Sequence, residues 1–398
     1  MASPNFDLVI QLLLFLAFHF LQSIQPATTS CYTSIISFGD SLADTGNFLY
    51  SSNNSPGAIA RLPYGETYFH RPTGRFSDGR LIIDFIAQDI GIPLVPPYLE
   101  GPGDHGFRQG VNFAVAGATA LDNDFFREKG LDISWTEYSL GTQIEWFKQL
   151  LPSLCSSGSG YPFTHVMFTM VDCKGILSSS LFLMGEIGGN DYNHPFFQGK
   201  TVDEIRTFVP SIISAISSAI NALIQLGAKT LVVPGNFPIG CVSWYLQAFQ
   251  SRRKEDYDSQ TGCIKWLNEF AEYHNRLLVD ELDHLQQLHP HVTIIYADYY
   301  KALLNIFRSP TQFGFKKAPL AACCGGGGPY NISVPCGGRA ATVCNDPSTY
   351  VCWDGMHLTE AAYRTIAQGL LEGPHTAPPI TQACPHIEQS AAHSLRPI

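Results

Sequence analysis

The sequence predicts an α/β fold with a mainly parallel sheet covered by helices on both faces. Three observations lead there. Four short apolar runs of strand type recur along the chain: SIISF at 34–38, LFLMGEI at 181–187, TLVVPG at 230–235 and VTIIYAD at 292–298, each beside Gly, Asp or Asn. Longer stretches with helical spacing lie between them. No Pro/Ser linker or repeat of fixed period divides the 398 residues, so a single domain with long loops is expected over 31–398.

RLIIDFIAQDI at 80–90 is amphipathic and stops at Gly91. Residues 201–226 open with Thr201-x-x-Glu204, a capping box, and stop before Gly227; Pro210 inside should kink the helix or mark a late start. Over 264–288, Ile264, Leu267, Phe270, Leu277, Leu278, Leu282 and Leu285 recur at helical spacing. A last helix starts near Thr359. The stretches 51–78, 97–140 and 307–353 are rich in Gly, Pro and polar residues and read as loops pinned by disulfides.

Residues 8–21, LVIQLLLFLAFHFL, are interrupted by Gln11 and His19 and too short for a membrane span, which takes about 20 apolar residues. PATTS at 26–30 and then Cys31 follow, so residues 1–30 read as a secretory signal peptide cut near Ser30. A retained anchor is the alternative, because the first residues carry Asp7 and no Lys or Arg. After cleavage no stable membrane anchor is expected, and the product would be extracellular or held in another secretory compartment.

The chain is 45% hydrophobic and 15% charged, which suits a substantial core, and its formal net charge is −10. Its longest basic cluster is Arg252-Arg253-Lys254, which argues against nucleic acid and anionic membrane as partners. All eleven cysteines lie at or after Cys31, which fits an oxidising compartment, and an odd number leaves at least one free or paired with another molecule. None has zinc spacing, so no metal is expected. The pairs expected are Cys155–Cys173, Cys241–Cys263, Cys323 and Cys324 with Cys336 and Cys344, and Cys31–Cys384, leaving Cys352 free; connectivity itself does not follow from sequence. Asn331-Ile-Ser and Asn53-Asn-Ser are N-glycosylation triplets, the second followed by Pro56.

Acyl transfer by a serine needs a hydroxyl, a base, a group that orients the base, and donors for the oxyanion. In SFGDSLADTGN, residues 37–47, Ser41 stands just past a strand, where open α/β sheets carry their sites. The surrounding string is not a G-x-S-x-G elbow, and Gly158-Ser159-Gly160 lies in a Ser/Gly-rich loop. In WDGMHLTEAAYR, residues 353–364, Asp354 and His357 are three apart, so one tight turn lets the carboxylate orient the imidazole. Oxyanion donors are sought in GVNFAVAGAT (110–119), around Gly117, and in GEIGGNDYN (185–193). There a strand ending in Gly188-Gly189-Asn190-Asp191 would aim the Asn190 amide off the sheet edge near Ser41. Each stretch also fits a plain structural role: a polar turn, an Asx-turn leading into a helix with His357 exposed, or a Gly-Gly-Asn turn. Asp40 and Asp44 are expected to brace the loop. His274 reads as packing or surface, His289-Pro-His291 as a helix-ending turn, and the glycine run after Cys323-Cys324 lacks the ending of a phosphate loop.

FGDSLADTGN, NFAVAGAT, GEIGGNDYN and WDGMHLTEAAY, in this order, resemble the four blocks of the GDSL esterase/lipase family of SGNH hydrolases. PYGETYFHRPTGRFSDGRLIIDFIA, VVPGNFPIGC and YADYY before ACCGGGGPY resemble its secreted plant branch, in the subgroup with acetylajmalan esterase and sinapine esterase; the likeness runs from Cys31 to about residue 370. The resemblance implies a three-layer α/β/α sandwich with a flavodoxin-like sheet and a serine carboxylic ester hydrolase that needs no cofactor. It puts the nucleophile on Ser41, which also lends its N–H, the other oxyanion donors on Gly117 and Asn190, and the acid and base on Asp354 and His357. Small plant-metabolite esters are the implied substrates, with a lipase, an acyltransferase or a non-catalytic extracellular binding protein as alternatives; it implies no oligomeric state. Against the family pattern, residues 158–171 within SSGSGYPFTHVMFTMVD look inserted.

Overall fold

The computed structural model describes residues 31–51, 57–103, 106–133, 136–156, 170–316 and 319–383. The expected signal peptide, Asn53, Cys384, the Gly158-Ser159-Gly160 string and most of the 158–171 segment lie outside them.

Five parallel strands form the sheet: β1 (Ser34–Ser37), β2 (Gly110–Asn112), β3 (Ser180–Leu183), β4 (Thr230–Pro234) and β5 (Thr293–Ala297), in the order β2-β1-β3-β4-β5. Residues of both parities are buried in β1, β3 and β4, which is why these strands read as unbroken apolar runs. Ile35 and Ile36 at 0% and 2% exposure show both faces covered, and burial of each such side chain contributes roughly 1.5–3 kcal/mol.

The covering helices fall into two packed groups, completing a three-layer α/β/α sandwich. The helices Ile82–Asp89 (α1), Tyr299–Arg308 and Glu360–Leu371 pack on one another, as do Leu140–Ser156, Val209–Leu226 and Lys265–Leu288. Thr201 caps as expected: its Oγ accepts from Glu204 N, and Glu204 Oε2 accepts from Thr201 N at 2.8 Å. That helix stops at Arg206 and the next restarts at Val209, with Pro210 in its first turn, where a missing N–H costs nothing. Thr359 caps the last helix through Ala362 N.

Two expectations need correction. The stretches 51–78 and 97–140 contain no cysteine, so disulfides do not pin them. Buried polar contacts do: Arg75 forks onto Asp84 with both bonds at 2.8 Å, and Asn47 Nδ2 donates to Asn112 O and Ala114 O. The segment 97–140 also holds β2, whose Gly-Val-Asn lacks any strand periodicity. The strand expected over 181–187 ends at Leu183, and Asn190 opens a helix, Asn190–Phe197 (α2), rather than closing a strand.

In 307–353 the disulfides Cys323–Cys344 and Cys324–Cys336 are present, joining a two-stranded antiparallel ribbon to its loops; Cys155–Cys173 and Cys241–Cys263 are also formed. Cys352 is free and buried, its thiol pushed up to about 12 by burial.

Candidate active site

The strand order reverses between β1 and β3, and in open α/β sheets the crevice at such a switch point, beyond the carboxyl ends of the strands, takes the ligand. Ser41 follows β1 and Asn190 follows β3, so pairing of these two strands brings their following loops together. The approach is close: a Cβ on Gly39 (φ +133°) would stand 2.9 Å from Glu186 O, so only glycine fits. Gly39 is held further by Gln143, whose side-chain oxygen accepts from Gly39 N and whose amide donates to Gly39 O, each at 2.8 Å.

From the other end of the chain comes the turn Trp353–Leu358. Asp354 Oδ1 accepts from the N–H groups of Met356 and His357, and Trp353 N donates to His357 O to close the turn. The turn is thus the Asx-turn that local sequence suggests, but His357 is buried rather than exposed, at 8%. His357 Nδ1 faces Asp354 Oδ2 at 2.8 Å, and His357 Nε2 faces Ser41 Oγ at 2.9 Å. Burial works to raise the Asp354 carboxyl, yet the facing His357 and two backbone N–H bonds outweigh it and hold the group at about 2. The carboxylate is therefore ionised at neutral pH.

Ser41, Gly117, Asn190 and His357 line one pocket of about 540 Å³, walled mostly by apolar and aromatic side chains such as Phe48, Ile59, Phe76 and Phe237. Gly117 has φ +81°, a left-handed backbone that glycine adopts without strain. Among the described residues the Ser41 and Gly117 N–H groups meet no acceptor. Asn190 is placed differently from a waiting donor: its Nδ2 gives both hydrogens away, to Asp40 Oδ2 at 2.9 Å and Ala118 O at 3.1 Å. Asp40 also accepts from Leu42 N, and Asp44 accepts from the N–H groups of Gly46, Asn47, Phe48 and Ala116, so both acids brace the loop.

Asn331 stands apart from the pocket lining, in left-handed backbone (φ 59°), with Nδ2 donating to Ala322 O. His274 is buried against Tyr192, and burial lowers its imidazole to about 3; His289 ends its helix as a C-cap.

Four contributors to the site escape sequence reading. Tyr64 donates its hydroxyl to Asp354 Oδ2 at 2.8 Å, and Phe76 lies 4.7 Å from the His357 ring. His194 lines the pocket beside Gly117, whose backbone it bonds, and burial lowers it to about 4. Glu186 also lines the pocket, hydrogen-bonded to Asp40, with its acid raised well above the usual range by burial and by the Asp40 charge. Only Glu186 left a local sign, an acid among the apolar residues LFLMGEI.

The family model for GDSL-like lipase/acylhydrolase matches residues 35–370. A sinapine esterase of Brassica napus is 50% identical over 387 residues, covering 96% of each chain. Two GDSL esterase/lipases of Arabidopsis thaliana are 54% and 53% identical over 356 and 357 residues, covering 89% of this chain and 88% of theirs.

Proposed function

Because the chain belongs to the GDSL-like lipase/acylhydrolase family and is an ester-bond hydrolase, we propose that it works through an acyl-enzyme on Ser41 and takes acyl esters of small plant metabolites. The observation that carries this reading is the continuous relay Ser41 Oγ–His357 Nε2–His357 Nδ1–Asp354 Oδ2, opening onto an apolar pocket.

Ser41 Oγ attacks the ester carbonyl while its proton passes to His357 Nε2. Asp354 holds the imidazole's tautomer and stabilises the imidazolium. The oxyanion sits against the N–H groups of Ser41 and Gly117, and Asn190 contributes by turning one hydrogen away from Ala118 O, the longer of its two bonds. The C–O bond of the tetrahedral species breaks, and the leaving alcohol takes the proton from His357. Water then repeats the sequence: its proton goes to His357, its oxygen to the acyl carbon, and Ser41 recovers its hydrogen.

The same proposal places the chain in the secretory pathway, with residues 1–30 cleaved as a signal peptide, 31–398 as one hydrolase domain, and a glycan on Asn331. Four disulfides among the described residues suit that compartment. The sinapine esterase similarity favours metabolite esters over triacylglycerol. Purified protein should hydrolyse short-chain nitrophenyl esters faster than long-chain ones, and Ser41→Ala should abolish that turnover. Undiminished turnover in Ser41→Ala would overturn the reading.

A further inference from the structure

Ser41 and Asn190 must keep a fixed separation to hold one oxyanion, yet they lie on different loops after different strands. Two side chains, Asp40 and Glu186, join them. The Glu186 Oε1 accepts from Gly189 N at 3.0 Å, at the entry to α2, and the Glu186 carboxyl is also bonded to Asp40, the residue before Ser41. Asp40 in turn accepts from Asn190 Nδ2 and Leu42 N. We propose that Glu186 is a positioning residue for the oxyanion donors: as a carboxylic acid donating to Asp40 and accepting from Gly189 N, it ties the Ser41 loop to the start of α2. It touches Asp40 and Gly189, not the reacting atoms.

The clamp needs one proton between two carboxyls. Among the described residues none of Asp40, Asp191 or Glu186 has a Lys, Arg or His ion-pair partner. The groups that act on Glu186 are Asp40 on the nucleophile loop, with Asp44 beyond it, Asp191 and Tyr192 on α2, and the buried phenols Tyr245 and Tyr299. Every one of these is neutral or negative, and of the imidazoles lining the same pocket His194 is held neutral by burial, which lowers it to about 4, while His357 is paired with Asp354, so the environment disfavours a second negative charge. Burial raises both acids, so the pair keeps a proton between them; Asp40 already accepts two N–H bonds and Glu186 only one, so that proton sits on Glu186. At alkaline pH Glu186 loses it, two adjacent carboxylates repel, and the donors separate.

The inference rests on the serine-ester reading. A fluorophosphonate titration of wild-type protein tests that reading alone, and the variants are then scored as turnover per titrated serine. Glu186→Ala should lower kcat by about 10-fold or more with KM within about 2-fold, a smaller loss than removing an oxyanion donor outright. Glu186→Gln keeps a donor for Asp40 and an acceptor for Gly189 N but cannot ionise. It should recover most of the kcat lost in Glu186→Ala and remove the fall of kcat that wild type shows at alkaline pH. A Glu186→Ala protein with wild-type kcat overturns the proposal. So does a Glu186→Gln protein that keeps the alkaline fall, and this second result decides even if Glu186→Ala does not fold.

Discussion

Tyr64 donates its hydroxyl to Asp354 Oδ2 at 2.8 Å, the same carboxylate oxygen that faces His357 Nδ1. The phenol is buried edge-on to Trp353 and Phe76, and burial with the Asp354 charge raises its own ionisation far above the usual range, so it stays a donor. Tyr64→Phe keeps the ring packing and removes one hydrogen bond to a charged group, worth about 1.5–3 kcal/mol. kcat/KM for a nitrophenyl ester should fall by roughly 10-fold or more, and the melting temperature by a few degrees. An unchanged kcat/KM would show that Asp354 does not depend on this donor.

Asn190 is committed to Asp40 and Ala118 in the resting site. If it also serves the oxyanion, Asn190→Ala should lower kcat by about 10²–10³-fold and leave KM nearly unchanged. A loss confined to KM would mean that Asn190 holds substrate in the ground state only.

Stability should fall as pH rises from 5 to 8. Burial raises Asp40, Asp44 and Asp78 to about 6 each and Asp191 to about 8. Each folded-state value lies above the unfolded one near 4, so the native chain binds more protons between them, and the stabilisation present at low pH is lost as each group ionises. Asp354 has the opposite sign, but its loss lies below about pH 4, outside this window. The buried imidazoles His194 and His274, lowered to about 4 and about 3, also oppose the fall below about pH 6.5, but the four raised acids outnumber them. Melting temperatures taken across pH 5 to 8 check the direction, and Asp191→Asn should flatten the upper part of the curve. A melting temperature that climbs over this range would contradict the burial of these acids.

The disulfide ribbon supports the turn that carries Asp354 and His357 from behind. Cys323 N donates to Cys352 O and Cys324 N to Trp353 O, at 2.9 and 2.7 Å, and Cys323, Cys324 and Cys336 share a buried cluster with Tyr64 and Trp353. Replacing Cys324 and Cys336 together by Ser should cost about 2–4 kcal/mol of stability. Esterase activity should drop below the melting transition, because the turn that carries Asp354 and His357 loses its backing. Full activity in a folded double variant would mean that the turn holds its shape alone.

The parts of this molecule legible in sequence are those encoded locally. The runs at β1, β3 and β4 are apolar because both sheet faces are covered, and Thr201, Thr359 and Gly227 mark helix ends by capping chemistry. The Asp354–His357 pair is one turn and shows in its spacing. β2 did not show, because Gly110-Val111-Asn112 has too few residues for a period and gains its strand geometry from pairing with β1. Tyr64 and Gln143 lie 290 and 104 residues from the atoms they bond, a distance over which composition and periodicity carry no information. Asn190 was legible by type, while its place at the start of a helix depends on Glu186 and Asp40, which only the folded crevice brings together.

In the proposed mechanism Ser41 carries the acyl group. Rapid acid quenching of wild-type protein during turnover of a nitrophenyl acetate, followed by peptide mass analysis, tests it directly. An acetyl adduct is expected on the peptide containing Ser41, enriched in a His357→Ala protein if deacylation slows more than acylation, and absent from Ser41→Ala. An adduct on another residue, or steady hydrolysis by Ser41→Ala at the wild-type rate, would contradict it.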